Sequence, residues 1–454
     1  MIDIKADSRK VILGDTFVAL RGVDGDGHNY IEEAIANGAT KIIAEEGSYS
    51  VETIIVPNTR KYLIDYLKEN YNKYLEKMKI IGITGTNGKT TTAFLLYRAL
   101  NMLGFKCAYA GTLGFYIEEK INNLDNTTCD VCDLYSMMLD AYEKNCEYMI
   151  FEISSQGLSY NRVEGFLFDY VAITNLTQDH LDFHITMENY AFAKQLLFKK
   201  LKKKGKAIVN YDNEYKNYFL LEKNNNITYG FGGGDYQVID YHMNNLGTVF
   251  KYRYQNNVHQ VVTTLIGKYN VYNLLIVLII LRDIGIKEEL IDEILPSLYA
   301  PPGRMQMIKY ESNSIIIDYA HTPDAMQNVL TTIKEITTGD IYVVFGCTGD
   351  RDRTKRPIMT DIATSLAKYV ILTNDDPHNE DPAQIISDMI TNLKRNNYEV
   401  ILDRKEAIVR GINLLKGNDV LIILGKGHEE FMIVKDKKIP FNDYQTVIEY
   451  LNYN

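Results

Sequence analysis

The chain has 454 residues, 46% of them hydrophobic and 24% charged, enough for about two to four domains with cores of their own. A formal net charge of −10 argues against loose binding to nucleic acid, and no apolar run is long enough to span a membrane. Five unevenly spaced cysteines, and a start ("MIDIKADSRK") without an apolar stretch, exclude a secreted disulfide scaffold and predict a protein of the reducing cytoplasm.

In chain order, residues 1–79 read as a small mixed α/β unit. "DTFVAL" and "ATKIIAEE" look like strands, "NYIEEAIANGA" is a helix between them, and "TRKYLIDYLKENYNKYLEKM" is a polar helix leading out. A second unit, 80–300, starts with the strand "KIIGIT". It continues through "YMIFEIS", "FDYVAITNL" and "KAIVNYD", with helical patterns between, the alternation of a mostly parallel sheet. Residues 225–265 read as antiparallel strands and turns, and "YNVYNLLIVLIILRDIG" as a strongly apolar helix. "SLYAPPGRMQ" breaks the pattern and predicts a boundary. In 301–454 the alternation restarts with "SIIIDYAH", "IYVVFGC", "KYVILTND", "YEVILD" and "DVLIILGK", a second, Rossmann-like doubly wound sheet. That sheet lacks GxGxxG, so no dinucleotide site is assigned to it. Cys129 and Cys132 form a lone CxxC with no second pair or histidines nearby, which reads as two chance cysteines. "ENYAFAKQLLFKKLKKKGK" reads as a basic helix whose Lys199–Lys206 end is solvated charge.

"TGTNGKTT" lies between the strand "KIIGIT" and a helical pattern. Strand, Gly-rich loop and helix together make a phosphate loop, with backbone N–H groups and the helix N-terminus facing the phosphates. Lys89 would reach the β/γ-phosphates and Thr90 would hold Mg²⁺. The strict spacing puts a glycine at position 83, where this chain has Ile83, so the loop is a variant. No NKxD guanine motif accompanies it.

With these motifs the chain resembles the Mur ligases, the ATP-dependent amide ligases of peptidoglycan precursor synthesis. It is most similar to the MurE type, which adds the third residue to UDP-N-acetylmuramoyl-L-alanyl-D-glutamate. "DSRKVILGDTFVALRG", "GITGTNGKTTT", "NLTQDHLDFHITMENYAFAK", "APPGRMQ", "IIIDYAHTPDAM", "GDRDRTKRP" and "GKGHE" follow in the family's order. The resemblance implies three domains: a UDP-sugar domain, a central P-loop ATPase domain and a C-terminal amino-acid domain. It implies transfer of the γ-phosphoryl of ATP to a carboxylate, then attack by an amine, with UDP-muramoyl-dipeptide and an amino acid (a diamino acid) as partners. A cytoplasmic monomer with no nucleic-acid partner and no membrane insertion is expected.

Site roles follow from the resemblance residue by residue. Gly85, Thr86, Asn87, Gly88, Lys89, Thr90 and Thr91 are implied to hold ATP, with Asn270 and Asn273 on the adenine side. Arg304, Asp318 and His321 are implied nucleotide contacts from the third domain, which closes onto the loop. Thr90 holds one Mg²⁺; Glu152, His180 and Lys194, the last carrying a CO₂-derived carbamate, hold a second. Lys89, Glu152, His180 and Lys194 are the implied catalytic set. Ser8 and Arg9 match the uridine segment, and Thr127, Thr128, Ser154, Ser155 and Arg162 the pyrophosphate and muramoyl-peptide contacts. Arg351, Asp375, Asp376, His378, Gly425 and Glu429 match the amino-acid site.

The chain departs from the family's pattern in four places. Seven residues precede Ser8, Cys129 follows the threonine pair, and Gln156 replaces a histidine. In "NDDPHNEDP", His378 stands where users of meso-diaminopimelate have an arginine. A neutral imidazole offers one hydrogen bond where arginine offers a charged fork, which leans the expectation towards lysine or another monocarboxylate diamine. A paralogue joining an amino acid to another carboxylate outside the cell-wall pathway is the alternative. The N-terminal "DSRKV" segment speaks against a folylpolyglutamate synthase.

Overall fold

The computed structural model describes residues 2–22, 25–222, 225–435 and 437–453. They fall into two compact units: residues 1–83, 104–171 and 196–206 form the first, and 84–103, 172–195 and 207–454 the second.

The first unit opens with four short strands, Ile4–Lys5, Thr16–Val18, Lys41–Ala44 and Glu52–Ile55, paired in parallel in chain order. Phe17, Ile42 and Ala44 of the sheet and Ile31 and Ala34 of helix Ile31–Ala36 make its core. The long helix Thr59–Leu75 follows, its first turn capped by Asn58, whose side chain accepts from the Lys61 N–H. Farther on, Lys79–Ile83 pairs in parallel with Tyr148–Glu152, which pairs in parallel with Cys107–Ala110. Strands Gly114–Ile117 and Glu119–Asn122 extend that edge antiparallel. The apolar runs of Ile80–Ile83 and Tyr148–Phe151 are buried along their whole length, as central parallel strands require.

In the second unit the loop after Thr84 enters helix Lys89–Met102. Helix Lys268–Asp283 packs on that helix and is buried on nearly every face from Asn270 to Leu281, as its unbroken apolar run predicts. Strands Tyr236–Asn244, Gly247–Tyr254 and Asn257–Thr263 form an antiparallel meander.

The last sheet has six strands in the order Gln306–Tyr310, Asn313–Asp318, Val420–Leu424, Ile341–Phe345, Tyr369–Leu372 and Tyr398–Val400. Only the first pairing is antiparallel. Alternate side chains serve two faces: Ile316, Val343 and Ile422 pack on helices Pro323–Ile336, Lys355–Leu366 and Pro382–Met389. Ile317, Val344 and Ile423 pack on helices Arg404–Leu414 and Asp443–Tyr453. Helices on both faces of a mostly parallel sheet make this a doubly wound fold.

One expected element is corrected. The basic run after Lys194 is not helical to Lys206: helix Met187–Phe198 ends before it, and Leu201–Asn210 is a strand. Nor is the charge merely solvated, since Lys202 pairs with Asp169 at 2.7 Å and Lys200 with Glu164 at 2.5 Å. A β-strand lets these lysines reach carboxylates on neighbouring segments, which overrides the helical propensity of the lysine run.

Candidate active site

The phosphate loop is tied down by the segment that follows the strand Phe168–Ile173. The Thr86 N–H donates to the Asn175 carbonyl at 2.9 Å, the Asn87 N–H to Asn175 Oδ1 at 2.9 Å, and the Thr174 hydroxyl to the Asn87 carbonyl at 2.6 Å. Two glycines are required. At Gly85, φ +145°, a Cβ would lie 1.9 Å from Thr174 Oγ1; at Gly88, φ +84°, it would lie 2.4 Å from Asn273 Oδ1. Helix Lys89–Met102 starts at Gly88 without a side-chain cap, the kind of N-terminus that suits an anion. Lys89 Nζ donates to the Gly85 and Thr86 carbonyls at 2.9 and 2.8 Å.

Five more of the expected residues join this loop. Asn273 takes the Thr92 hydroxyl at 3.2 Å and donates to Asn270 Oδ1 at 3.1 Å. Arg304 donates to Thr90 Oγ1 at 3.3 Å, and its guanidinium lies 4.3 Å from the Tyr319 ring centre. Lys194 is 1% exposed and donates to the Gly85 carbonyl at 2.8 Å, with its ammonium over the Tyr190 ring. Burial, with Lys89 nearby, holds the Lys194 amine well below an ordinary lysine. His180 occupies the left-handed region at φ +54°, and burial lowers its ring below an ordinary histidine. Its neighbour Asp179 reaches His180 Nε2 at 3.4 Å and Lys355 Nζ at 3.7 Å. Burial works against the Asp179 carboxylate, yet His180, Lys355 and His321 hold it below the usual range.

Asp318 and His321 sit where Asn313–Asp318 ends. Asp318 accepts the Met305 and Ala320 N–H groups at 2.7 and 2.8 Å, and burial raises its carboxyl. His321 faces the Tyr319 carbonyl at 2.8 Å, and burial followed by Lys355 pushes its ring down to about 4. Just beyond, Asn87 of the loop donates to Asp324 Oδ2 at 3.0 Å.

Asp375, Asp376, Gly425 and Glu429 also come together, around a lysine that sequence reasoning passed over. Lys426 is fully buried and lies 2.8 Å from Asp376, 2.8 Å from Glu429 and 3.8 Å from Asp375. Tyr319 links this cluster to the loop, since its hydroxyl donates to Glu429 at 3.2 Å while its ring faces Arg304. Burial pushes the Glu429 carboxyl up to about 7, with Lys426 opposing. Arg351 and His378 stand apart from it. Arg351 is exposed and donates to the Asp350 carbonyl, while His378, at φ +48°, bonds through its backbone to Ile433 and Lys435.

In the first unit, Glu152 is 1% exposed at the end of its strand. It accepts from the Tyr109 hydroxyl and from Thr112, both through its N–H and its hydroxyl, each at 3.1 Å. Thr127 meets Thr112 at 3.0 Å, Thr128 donates to the Glu152 carbonyl at 2.9 Å, and Arg162 donates to the Thr128 carbonyl at 2.9 Å. Ser154 caps the short helix that starts at Ser155 by accepting from the Gly157 N–H at 3.0 Å. Ser8 and Arg9 are not joined to this group. Ser8 donates to Glu33 at 2.7 Å, and the exposed Arg9 forks onto Asp7. Cys129 and Cys132 are buried free thiols, each pushed up to about 12 by burial.

Sequence reasoning missed Asp179, Lys355, Asp324, Tyr319 and Lys426. Each lies inside or beside a motif already singled out, and only the fold shows which partner it faces.

Known proteins bear on this arrangement. Residues 3–86, 83–281 and 303–427 match the Mur ligase family, catalytic domain; the Mur ligase middle domain; and the Mur ligase, glutamate ligase domain. The UDP-N-acetylmuramoyl-L-alanyl-D-glutamate--2,6-diaminopimelate ligase of Clostridium botulinum is 39% identical, covering 98% of this chain and 94% of that protein. The protein of the same name from Bacillus cereus is also 39% identical, over 98% of this chain and 93% of its own. A solved structure of a ligase of that name superposes with a TM-score of 0.69 at 32% identity, covering 99% of this chain and 94% of the other. MurF ligase from Thermotoga maritima in complex with ADP shares the fold, with a TM-score of 0.69 at 22% identity over 93% of each chain. With its loop, its sheets and its full length matched in this way, the chain belongs to the Mur ligase family.

Proposed function

We propose that this is an ATP-dependent ligase that joins a diamino acid to UDP-N-acetylmuramoyl-L-alanyl-D-glutamate in peptidoglycan precursor synthesis, by way of an acyl phosphate. The observation that carries this reading is the convergence of Lys89, Thr90, His180, Lys194 and Arg304 on one strand–loop–helix cradle. A cytoplasmic monomer is the working form in this reading.

Gly85, Thr86, Asn87, Gly88, Lys89, Thr90 and Thr91 hold the phosphates, and Asn270 and Asn273 brace the loop on the adenine side. Arg304, Asp318 and His321 complete the nucleotide site. The γ-phosphoryl passes to the substrate carboxylate: an O–P bond forms, the bond to the ADP oxygen breaks and ADP departs. The unprotonated amine then attacks the acyl carbon, the C–N bond forms, phosphate leaves from the tetrahedral centre and a proton goes to solvent. Lys89 and Arg304 offset the charge gathered in the first step. Thr127, Thr128, Ser154, Ser155 and Arg162 would take the pyrophosphate and muramoyl-peptide, and Ser8 and Arg9 the uridine.

Thr90 would hold one Mg²⁺, and His180 and Lys194 would serve a second, which lowers the charge repulsion between triphosphate and carboxylate. Glu152 keeps the metal-binding role that its motif implies. A lysine ammonium repels a cation, so Lys194 fits this set only when changed. It is buried, with no acidic group within hydrogen-bonding reach among the described residues. A neutral amine there can add CO₂, forming an N–C bond and releasing a proton, which turns a cation into an oxygen ligand.

For the amino acid, the names of the relatives favour 2,6-diaminopimelate, with the exposed Arg351 free to meet a carboxylate and Glu429, Asp375 and Asp376 to meet an ammonium. His378 is the specific observation that favours lysine instead. A panel of lysine, meso-diaminopimelate and ornithine in a ligation assay decides between them. A preference for meso-diaminopimelate supports the first reading, and one for lysine the second. His378→Arg should move selectivity towards meso-diaminopimelate by about 1–3 kcal/mol.

A further inference from the structure

Helix Lys355–Leu366 begins with two cations, although the N-terminus of a helix disfavours positive charge. One is compensated: Arg356, fully buried, forks onto Glu380 and Asp388 at 2.8 and 2.7 Å. The other is not. Lys355 is 7% exposed, and its nearest carboxylate is Asp179 at 3.7 Å, beyond hydrogen-bonding distance. Among the described residues its ammonium makes no hydrogen bond, and the helix it opens has no side-chain cap. A buried ammonium that is ion-paired at 3.7 Å but donates no hydrogen bond among the described residues, set at an uncapped helix N-terminus, is suited to an anion.

Its surroundings indicate which anion. Gln178 donates to Thr354 at 3.4 Å, and the Thr177 N–H donates to Thr86 of the phosphate loop at 3.0 Å. Residues 177–179 thus link Lys355 to the loop in three steps. Lys89, Lys194 and Lys355, from three different helices, all act on the ring of His180. Lys89 and Lys194 bond to backbone carbonyls, whereas Lys355 has no such partner.

We propose that Lys355 is a further catalytic residue, which donates to the phosphoryl group as it moves from ATP to the substrate carboxylate. This rests on the ligase reading above and adds a contact from the C-terminal segment. Its ammonium, held to Asp179 only at 3.7 Å, keeps donors to offer a phosphoryl oxygen.

The test is oxygen scrambling in ATP labelled with ¹⁸O at the β,γ-bridge, with UDP-muramoyl-dipeptide present and the amino acid withheld. Reversible acyl-phosphate formation scrambles the label in the parent enzyme; if the parent neither scrambles nor ligates, it is the ligase reading that fails. With an active parent, Lys355→Met should scramble about a hundredfold more slowly, with ADP affinity within about threefold of the parent. Lys355→Gln is measured alongside, so that a Met variant without a cooperative melting transition does not decide the matter. Asp179→Asn removes the ion pair but keeps the ammonium, and should scramble at least tenfold faster than Lys355→Met. Equal losses in the Asp179 and Lys355 variants would reduce Lys355 to a clamp on Asp179. Unchanged scrambling with a raised KM for the amino acid would assign Lys355 to that substrate. Either result overturns the proposal.

Discussion

At the scale of single residues, the site is defined by charges that burial has moved from their ordinary values. Glu429 is the case with a pH signature. Its carboxyl is pushed up to about 7 from an ordinary 4.5, by burial first and by Asp375 in addition. Between those values the folded chain keeps a proton that the unfolded chain releases, so ionising Glu429 lowers stability as pH rises through this window. Glu429→Gln cannot ionise. Its melting temperature, measured relative to the parent's, should therefore rise between pH 5 and about pH 7 and level off above that, and a flat difference would contradict the assignment. The sequence revealed Glu429 through "GKGHE" but not its proton affinity. That depends on Asp375, Asp376 and Lys426, which are brought together by two separate strand ends.

At the scale of elements, local rules were legible where pattern and fold agree. The loop and helix at Lys89, the apolar helix from Lys268 and the doubly wound alternation after residue 301 all follow from periodicity. They were illegible where a tertiary partner decides, as in the lysine run that became a strand opposite Asp169 and Glu164. Ile185 is another such place. It has φ +70° and ψ −46°, with the Thr186 N–H donating back to the His184 carbonyl at 2.8 Å. That is the strained form of the three-residue turn, held by a β-branched side chain that is 77% exposed. Ile185→Gly should stabilise the chain by about 1 kcal/mol, read as a higher denaturation midpoint; a lower midpoint would show that the isoleucine packs. In the next helix, Lys194→Ala should lose most activity and recover part of it with formate or acetate, which supply the missing oxygen ligand. Lys194→Arg should be inactive, because guanidinium forms no carbamate. An active Lys194→Arg variant, with a bare amine seen by ¹³CO₂ NMR in the parent, would rule the carbamate out.

At the scale of the whole molecule, the order of motifs along the chain identified the family and its three-domain α/β fold, both supported by relatives that span nearly its full length. The sequence did not reveal that, in the second unit, the C-terminal segment already meets the loop side through the hydrogen bonds Arg304–Thr90 and Asn87–Asp324 and the ion pair Lys355–Asp179. These contacts join residues more than a hundred positions apart, which no local pattern encodes. The proposed ligase chemistry couples these parts: ATP turns over only when a carboxylate and an amine are both present. The most direct measurement is phosphate release from MgATP by the parent and by Lys89→Ala, with each of the other two substrates omitted in turn. The account predicts that the parent forms one phosphate per UDP-muramoyl-tripeptide, with sustained release only in the complete mixture. It predicts a folded, inactive Lys89→Ala variant. Sustained release without dipeptide or amino acid, or near-normal turnover by Lys89→Ala, would contradict it.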